Sequence, residues 1–184
     1  GTSISQTIGE AVARDVLKQL CDTFKTVYYI LDNHDRRLMA MHEKPSEFDE
    51  TDLLSILIDG TLHGRVRASI YYRYVVVNDR WRITSPKEYR RTKLSLPTRL
   101  ASLYHQHVIS GGDHLFAMGL DDSGTYVIAN DMCMVNPAET PYINVQDTTY
   151  PHWNPGFYAI LDDVLYPFAD HPNLWPRWWE RLRA

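Results

Sequence analysis

Between Arg65 and Ile83 the chain reads RVRASIYYRYVVVNDRWRI. Val66, Ala68, Ile70, Tyr72, Tyr74 and Val76 fall on one side of a two-residue repeat; Arg65, Arg67, Ser69, Tyr71, Arg73 and Val75 fall on the other. Such alternation, in β-branched and aromatic residues, predicts a strand with one face in the core. Asn78-Asp79 supplies a turn, because both residues tolerate unusual dihedrals and hydrogen-bond their own backbone. Trp81 and Ile83 then resume the alternation on a returning strand.

Elsewhere the spacing changes. From Ser3 to Phe24, the residues Ile4, Ile8, Val12, Val16 or Leu17, Leu20 and Phe24 recur at three-to-four spacing, which predicts a long amphipathic opening helix. Val27–Leu31 and Leu38–Met41 flank Asp32-Asn33-His34-Asp35 and read as a hairpin. Ser46 and Asp49 have capping-box spacing, ahead of a helix carrying Leu53, Leu54, Ile56 and Leu57. Ser85–Lys93 is a cationic loop, and Leu94–Val108 has helical spacing with Pro97 near its first turn. Two further hairpins are expected, around Asp121-Asp122-Ser123-Gly124 and around Leu161-Asp162-Asp163. Between them Val135–Pro155 is a proline-rich linker, and NLWPRWWERLRA closes the chain with a short aromatic helix. The fold class expected is α+β: a long N-terminal helix packed on antiparallel sheets built from hairpins. It would form one domain of residues 1–184, or two subdomains, 1–108 and 109–184.

The 184 residues are 44% hydrophobic and 12% aromatic, enough for a folded core. The net charge of -4 argues against a general nucleic-acid binder. Its distribution is uneven. Ten of the 19 basic residues lie between Arg65 and Arg99, while Leu100–Pro176 holds nine Asp or Glu and no Lys or Arg. No apolar run approaches the ~20 residues of a membrane helix. The opening Gly-Thr-Ser, with no initiator Met, reads as a cleavage scar on an excerpt of a longer product. Cys21 and Cys133 lack metal-site spacing; they are either buried thiols or one disulfide.

A long N-terminal helix leads into YYILDNHDRRLMAMHE, an inserted helix, the long central hairpin and then LDDSGTYVIAND. This order, over residues 3–130, resembles the extracytoplasmic PAS-like or Cache-like sensor domains of bacterial signalling receptors. The resemblance implies a helix running along a PAS-like antiparallel sheet, a small-ligand pocket, and a periplasmic position on an inner-membrane protein, with a cytoplasmic protein as the alternative.

Candidate chemistry is sparse. No Gly-rich phosphate loop, G-x-S-x-G elbow or H-E-x-x-H occurs, so neither a cofactor nor catalysis is expected. His105, His107 and His114, with Asp113 or Asp131, have the residue types for a metal. On a helix end, however, positions i and i+2 diverge by about 200°, so capping or surface histidines are expected instead. Asp121-Asp122-Ser123-Gly124 is a fragment of a calcium loop without its full spacing, and reads as a polar turn. Arg80, Arg82, Lys87, Arg90, Arg91 and Lys93, interleaved with Trp81 and Tyr89, could track phosphates but suit a solvated loop as well.

The remaining constellation is Tyr71 and Arg73 with Arg80 and Trp81 on the return, and Asp131 contributing opposite charge. Guanidinium and aromatic groups on a rigid sheet suit a small carboxylate or amine ligand; ordinary cross-strand pairing is the plain alternative. The function expected is a non-catalytic sensory module, bound by a small molecule or a protein and tethered through segments outside this sequence. A homodimer is compatible with it, and nucleic acid is not a partner. The alternative is a soluble interaction protein, toxin-neutralising or secretion-accessory, using its acidic half.

Overall fold

The computed structural model describes residues 4–31, 64–69, 71–86, 92–112, 114, 116–132 and 155–169. The return strand of the first expected hairpin, the helix after Pro45, most of the cationic loop, Cys133, the proline-rich linker before Pro155 and the Trp-rich tail lie outside them. The chain is mixed α/β and divides into two compact units, Gly1–Val75 and Val76–Ala184. No helix among the described residues is long and apolar enough to cross a membrane.

In the first unit α1 (Ile4–Thr23) precedes β1 (Val27–Tyr29), and β2 (Val66–Ala68) follows. Leu17 and Cys21, one helical turn apart, are buried. The Arg65 guanidinium donates to the Cys21 carbonyl at 2.6 Å, supplying charge and a donor to one of the orphan carbonyls at a helix end. Cys21 is a free thiol. β1 pairs with β2 in parallel, Val27 opposite Val66, so its partner among the described residues is a distant strand.

The long alternating stretch is not one strand. β2 stops at Ala68, and β3 (Tyr74–Val77) belongs to a different sheet. The Ser69 hydroxyl accepts the amides of both Tyr71 and Tyr72 at 3.2 Å. Those donors are thereby taken from any ladder, as Ser side chains do when they compete with regular structure. Tyr72, expected in the core, is exposed.

The second unit is built on a five-stranded sheet of order β3-β4-β5-β7-β6, where β4 is Trp81–Thr84, β5 His107–Ser110, β6 Ala117–Leu120 and β7 Val127–Asn130. The expected hairpins are there. Asn78 and Asp79, both at positive φ, turn β3 into β4, as a two-residue hairpin turn requires. β6 pairs antiparallel with β7, and β8 (Gly156–Leu161) antiparallel with β9 (Val164–Ala169) around Asp162-Asp163.

The expectation of purely antiparallel sheets fails at the centre, where β4, β5 and β7 run parallel. The physical reason lies in the connection. Parallel neighbours need a long crossover, and residues 85–106 provide it with α2 (Ser95–Tyr104). The helix expected to run to Val108 ends at Tyr104, because His105 takes a left-handed conformation and closes onto the Ala101 carbonyl. His107–Ser110 is then free to pair on both sides as β5.

Alternation along these strands sorts the core into two faces. Val108 and Ile128 pack with Ala101 of α2, flanked by Leu94, Leu100 and Tyr126. Trp81, Ile109 and Ala129 pack with Leu165 of β9, flanked by Val77, Ile83, Val127, Tyr158 and Ile160. The sheet is therefore covered by α2 on one face and by the β8–β9 hairpin on the other. Strands buried on both faces lose the polar half of their alternation.

Candidate functional site

The three parallel strands begin together at one end of the second unit. Asp79-Arg80 leads into β4, His105-Gln106 into β5 and Thr125-Tyr126 into β7. These residues and His107 line a cavity of about 140 Å³. Each dipeptide sits where a turn or a helix end hands over to a strand, which is why polar side chains converge there on a rigid frame.

His107 is the best-fixed of them. Its Nδ1 accepts the Val127 amide at 2.9 Å, so the ring is neutral and its proton sits on Nε2. The ring lies against Trp81, centroids 4.6 Å apart, and edge-on to Tyr126 at 5.9 Å. Burial, followed by the Arg80 charge, holds its pKa below the ordinary histidine value, with Asp163 opposing. His105 stands over the far side of Tyr126 at 6.4 Å. Gln106 is oriented from both ends: its Oε1 accepts from Arg82 Nε at 3.0 Å, and its Nε2 donates to the Asp79 carbonyl at 3.3 Å. The Arg82 guanidinium lies 3.8 Å from the Tyr104 ring centroid. Arg80 pairs with Asp163 of the β8–β9 turn at 2.7 Å.

At the opposite end of the same strands the charged groups are engaged by loop backbone. The Asp131 carboxylate accepts the amides of Gly112 and His114 at 2.9 Å each and lies 3.0 Å from His114 Nδ1. Gly112 is at φ +102°, a conformation that favours glycine. Gly111 packs so closely that a Cβ there would lie 3.2 Å from the Thr84 carbonyl. Tyr158 donates to the Asn130 carbonyl at 2.7 Å. Burial and then Asp131 push its phenol pKa well above the ordinary tyrosine range.

Of the residues singled out from sequence, Tyr71 and Arg73 belong to the first unit. Tyr71 is exposed in the bend after β2, and Arg73 Nε donates to the Leu31 carbonyl at 3.2 Å. Arg80 lines the cavity. Trp81 is fully buried, so it is the wall behind His107 and not a surface platform, and Arg82, one residue on, faces α2 instead. Asp131 lies at the far end of the strands, engaged by loop amides. His105 and His107 do not diverge as a helical i, i+2 pair. The helix has already ended, and both line one cavity. Gln106, Thr125 and Tyr126 carried no sequence signal beyond preceding apolar runs.

Among the described residues no group of three or more His, Cys, Asp or Glu could hold a metal. The Asp121 carboxylate, read as a turn residue, accepts from the Thr125 and Tyr126 amides and from the Ser123 hydroxyl. Those bonds, the Tyr126 amide foremost and the Ser123 hydroxyl next, lower its pKa and fix the approach to the cavity. No protein-family model, curated protein or solved structure matches this chain.

Proposed function

We propose that the protein is a non-catalytic ligand-binding module of the sensory class, and that the cavity at the start of β4, β5 and β7 takes a small carboxylate. The observation that carries this reading is the lining itself: Arg80, Gln106, His107, Thr125 and Tyr126 converge on about 140 Å³, backed by a buried tryptophan. A space of this size holds one molecule of roughly benzene dimensions. Asp79 and His105 complete the lining, and Arg80 brings to it the guanidinium, the side chain best matched to carboxylate. In the full sensory reading, which keeps the PAS-like resemblance as its frame, the bound ligand shifts a conformational population.

The test is calorimetric titration of the protein with acetate and benzoate as carboxylates, and ethylamine and benzylamine as amines. The expected result is saturable carboxylate binding that Arg80→Gln weakens at least tenfold and that amines do not reproduce. Absence of saturable binding by any of the four would remove the cavity as a ligand site.

One observation favours the other reading, a soluble interaction protein. On the outer side of the β8–β9 hairpin, Phe157 stacks on Phe168 at 4.8 Å, and Phe157, Leu161, Val164 and Tyr166 are exposed. Exposed apolar groups gathered on one sheet face are a feature of partner surfaces. Carboxylate binding unaffected by Phe157→Ser and Tyr166→Ser would separate the two readings.

A further inference from the structure

We propose that Asp163 is a built-in competitor for the ligand: its carboxylate occupies Arg80 in the free protein, and a bound carboxylate takes Arg80 over and frees the β8–β9 turn. This inference rests on the cavity being a ligand site.

Arg80 is the fixed partner in the exchange. It lines the cavity, and its own carbonyl accepts the His107 amide at 2.9 Å, so its backbone is held in the sheet. Asp163 comes from the opposite layer, at the second left-handed position of the β8–β9 turn, φ 62°. The pair is the one side-chain bond among the described residues that links this turn to the turn before β4.

Two features make the pair exchangeable. Its side chains are 58% and 35% exposed, and ion pairs in that setting are weak. It is also one-sided: Asp163 Oδ2 takes Arg80 Nη1, while Asp163 Oδ1 is buried with no hydrogen-bond partner. A carboxylate arriving from the cavity can meet the guanidinium with both oxygens, the stronger fork-to-fork arrangement, and finds His107 and Tyr126 beside it.

The exchange is a substitution of one carboxylate for another on the same cation. Charge on Arg80 stays compensated, and the displaced Asp163 is left to water. Because Asp163 is rigidly part of the turn, losing Arg80 removes the tether between the two layers at that edge. The ligand and the tethered hairpin thus compete, and each disfavours the other by the same factor.

The test uses Asp163→Asn, which preserves the turn because Asn suits left-handed positions in two-residue hairpins, and Arg80→Gln, with acetate and benzoate as probes. Affinity is read by calorimetry, and exchange of the residue 161–164 amides by hydrogen–deuterium measurement. Asp163→Asn is expected to raise carboxylate affinity about fivefold, the scale set by an exposed pair, and Arg80→Gln to abolish binding. Benzoate should speed amide exchange at 161–164 in the native protein, and that exchange should already be fast in Asp163→Asn. Equal affinity in the native protein and Asp163→Asn, with exchange at the turn unmoved by ligand, would overturn the competition and leave the site standing. No binding by any form, Asp163→Asn included, would overturn both.

Discussion

The two ends of the parallel strands carry similar chemistry and use it differently. At the carboxyl end the Gly112 and His114 amides both donate to the Asp131 carboxylate, and the Gly111 amide donates to the Thr84 carbonyl. At the amino end Arg80, His105, Gln106, His107, Thr125 and Tyr126 surround a cavity. A histidine and an aspartate near each other are thus no guide to function by themselves. What separates the two ends is whether backbone amides have already claimed the charged group. Asp131 is held by two of them, whereas Arg80 is held by one half-buried carboxylate.

The largest effect is expected at Trp81, which packs in the core behind the cavity residue His107. It is fully buried and packs with Ile109, Ala129 and Leu165. Trp81→Ala should cost about 3–5 kcal/mol of stability in denaturant unfolding. A loss under about 1 kcal/mol would mean that the β8–β9 layer does not depend on this side chain. Next comes Asp131. Asp131→Ala leaves the Gly112 and His114 amides without their acceptor and should cost about 1–3 kcal/mol, with carboxylate affinity at the other end unchanged. A fall in affinity comparable to that of Arg80→Gln would mean that the two ends are one site.

Several of these features were legible in the sequence, and the rest were hidden for stateable reasons. The turns at Asn78-Asp79, Asp121–Gly124 and Asp162-Asp163 were read from residue chemistry, which acts locally. The parallel centre was not. VIAN is legible as the return of the Asp121–Gly124 hairpin, but nothing local shows that its other edge pairs in parallel with HVIS, which reads as the tail of α2. The break at Ser69 was hidden because Ser69 keeps the alternation intact while its hydroxyl withdraws two amides. At the site, Arg80 and Trp81 were recognised, but as one polar platform, and Asp131 was chosen for its charge with no means of seeing its loop partners. Helical spacing sets His105 and His107 on diverging faces, but the helix ends at Tyr104 and both line one cavity.

A smaller effect distinguishes the ends by pH. His107 is held neutral in the fold, its pKa depressed by burial and by Arg80. The unfolded chain binds the proton more readily, so stability rises with pH in that window. The His107 contribution is fully present above the ordinary value of 6.5 and is lost as pH falls from there toward the depressed folded value. His107→Gln should flatten that part of the stability–pH curve. Asp163→Asn should lower the His107 pKa further, since Asp163 is the group that raises it; an upward shift in the ring's proton resonance titration would contradict the placement of Asp163 beside it.

The smallest expected effect concerns the face under α2. Ser110 and Asn130 stand opposite one another on β5 and β7, fully buried, and among the described residues neither the Ser110 hydroxyl nor the Asn130 amide has a hydrogen-bond partner. A buried donor with no partner is a cost to the fold, so deleting it differs in sign from deleting a satisfied one. Ser110→Ala keeps the backbone pairing and removes only the hydroxyl. It should leave stability unchanged or raise it by up to about 1 kcal/mol. Asp131→Ala, one strand position beyond Asn130, removes an acceptor that is in use. A loss of about 1 kcal/mol in Ser110→Ala would show that its hydroxyl is hydrogen-bonded in solution, and would place a second satisfied polar group under α2 at the carboxyl end.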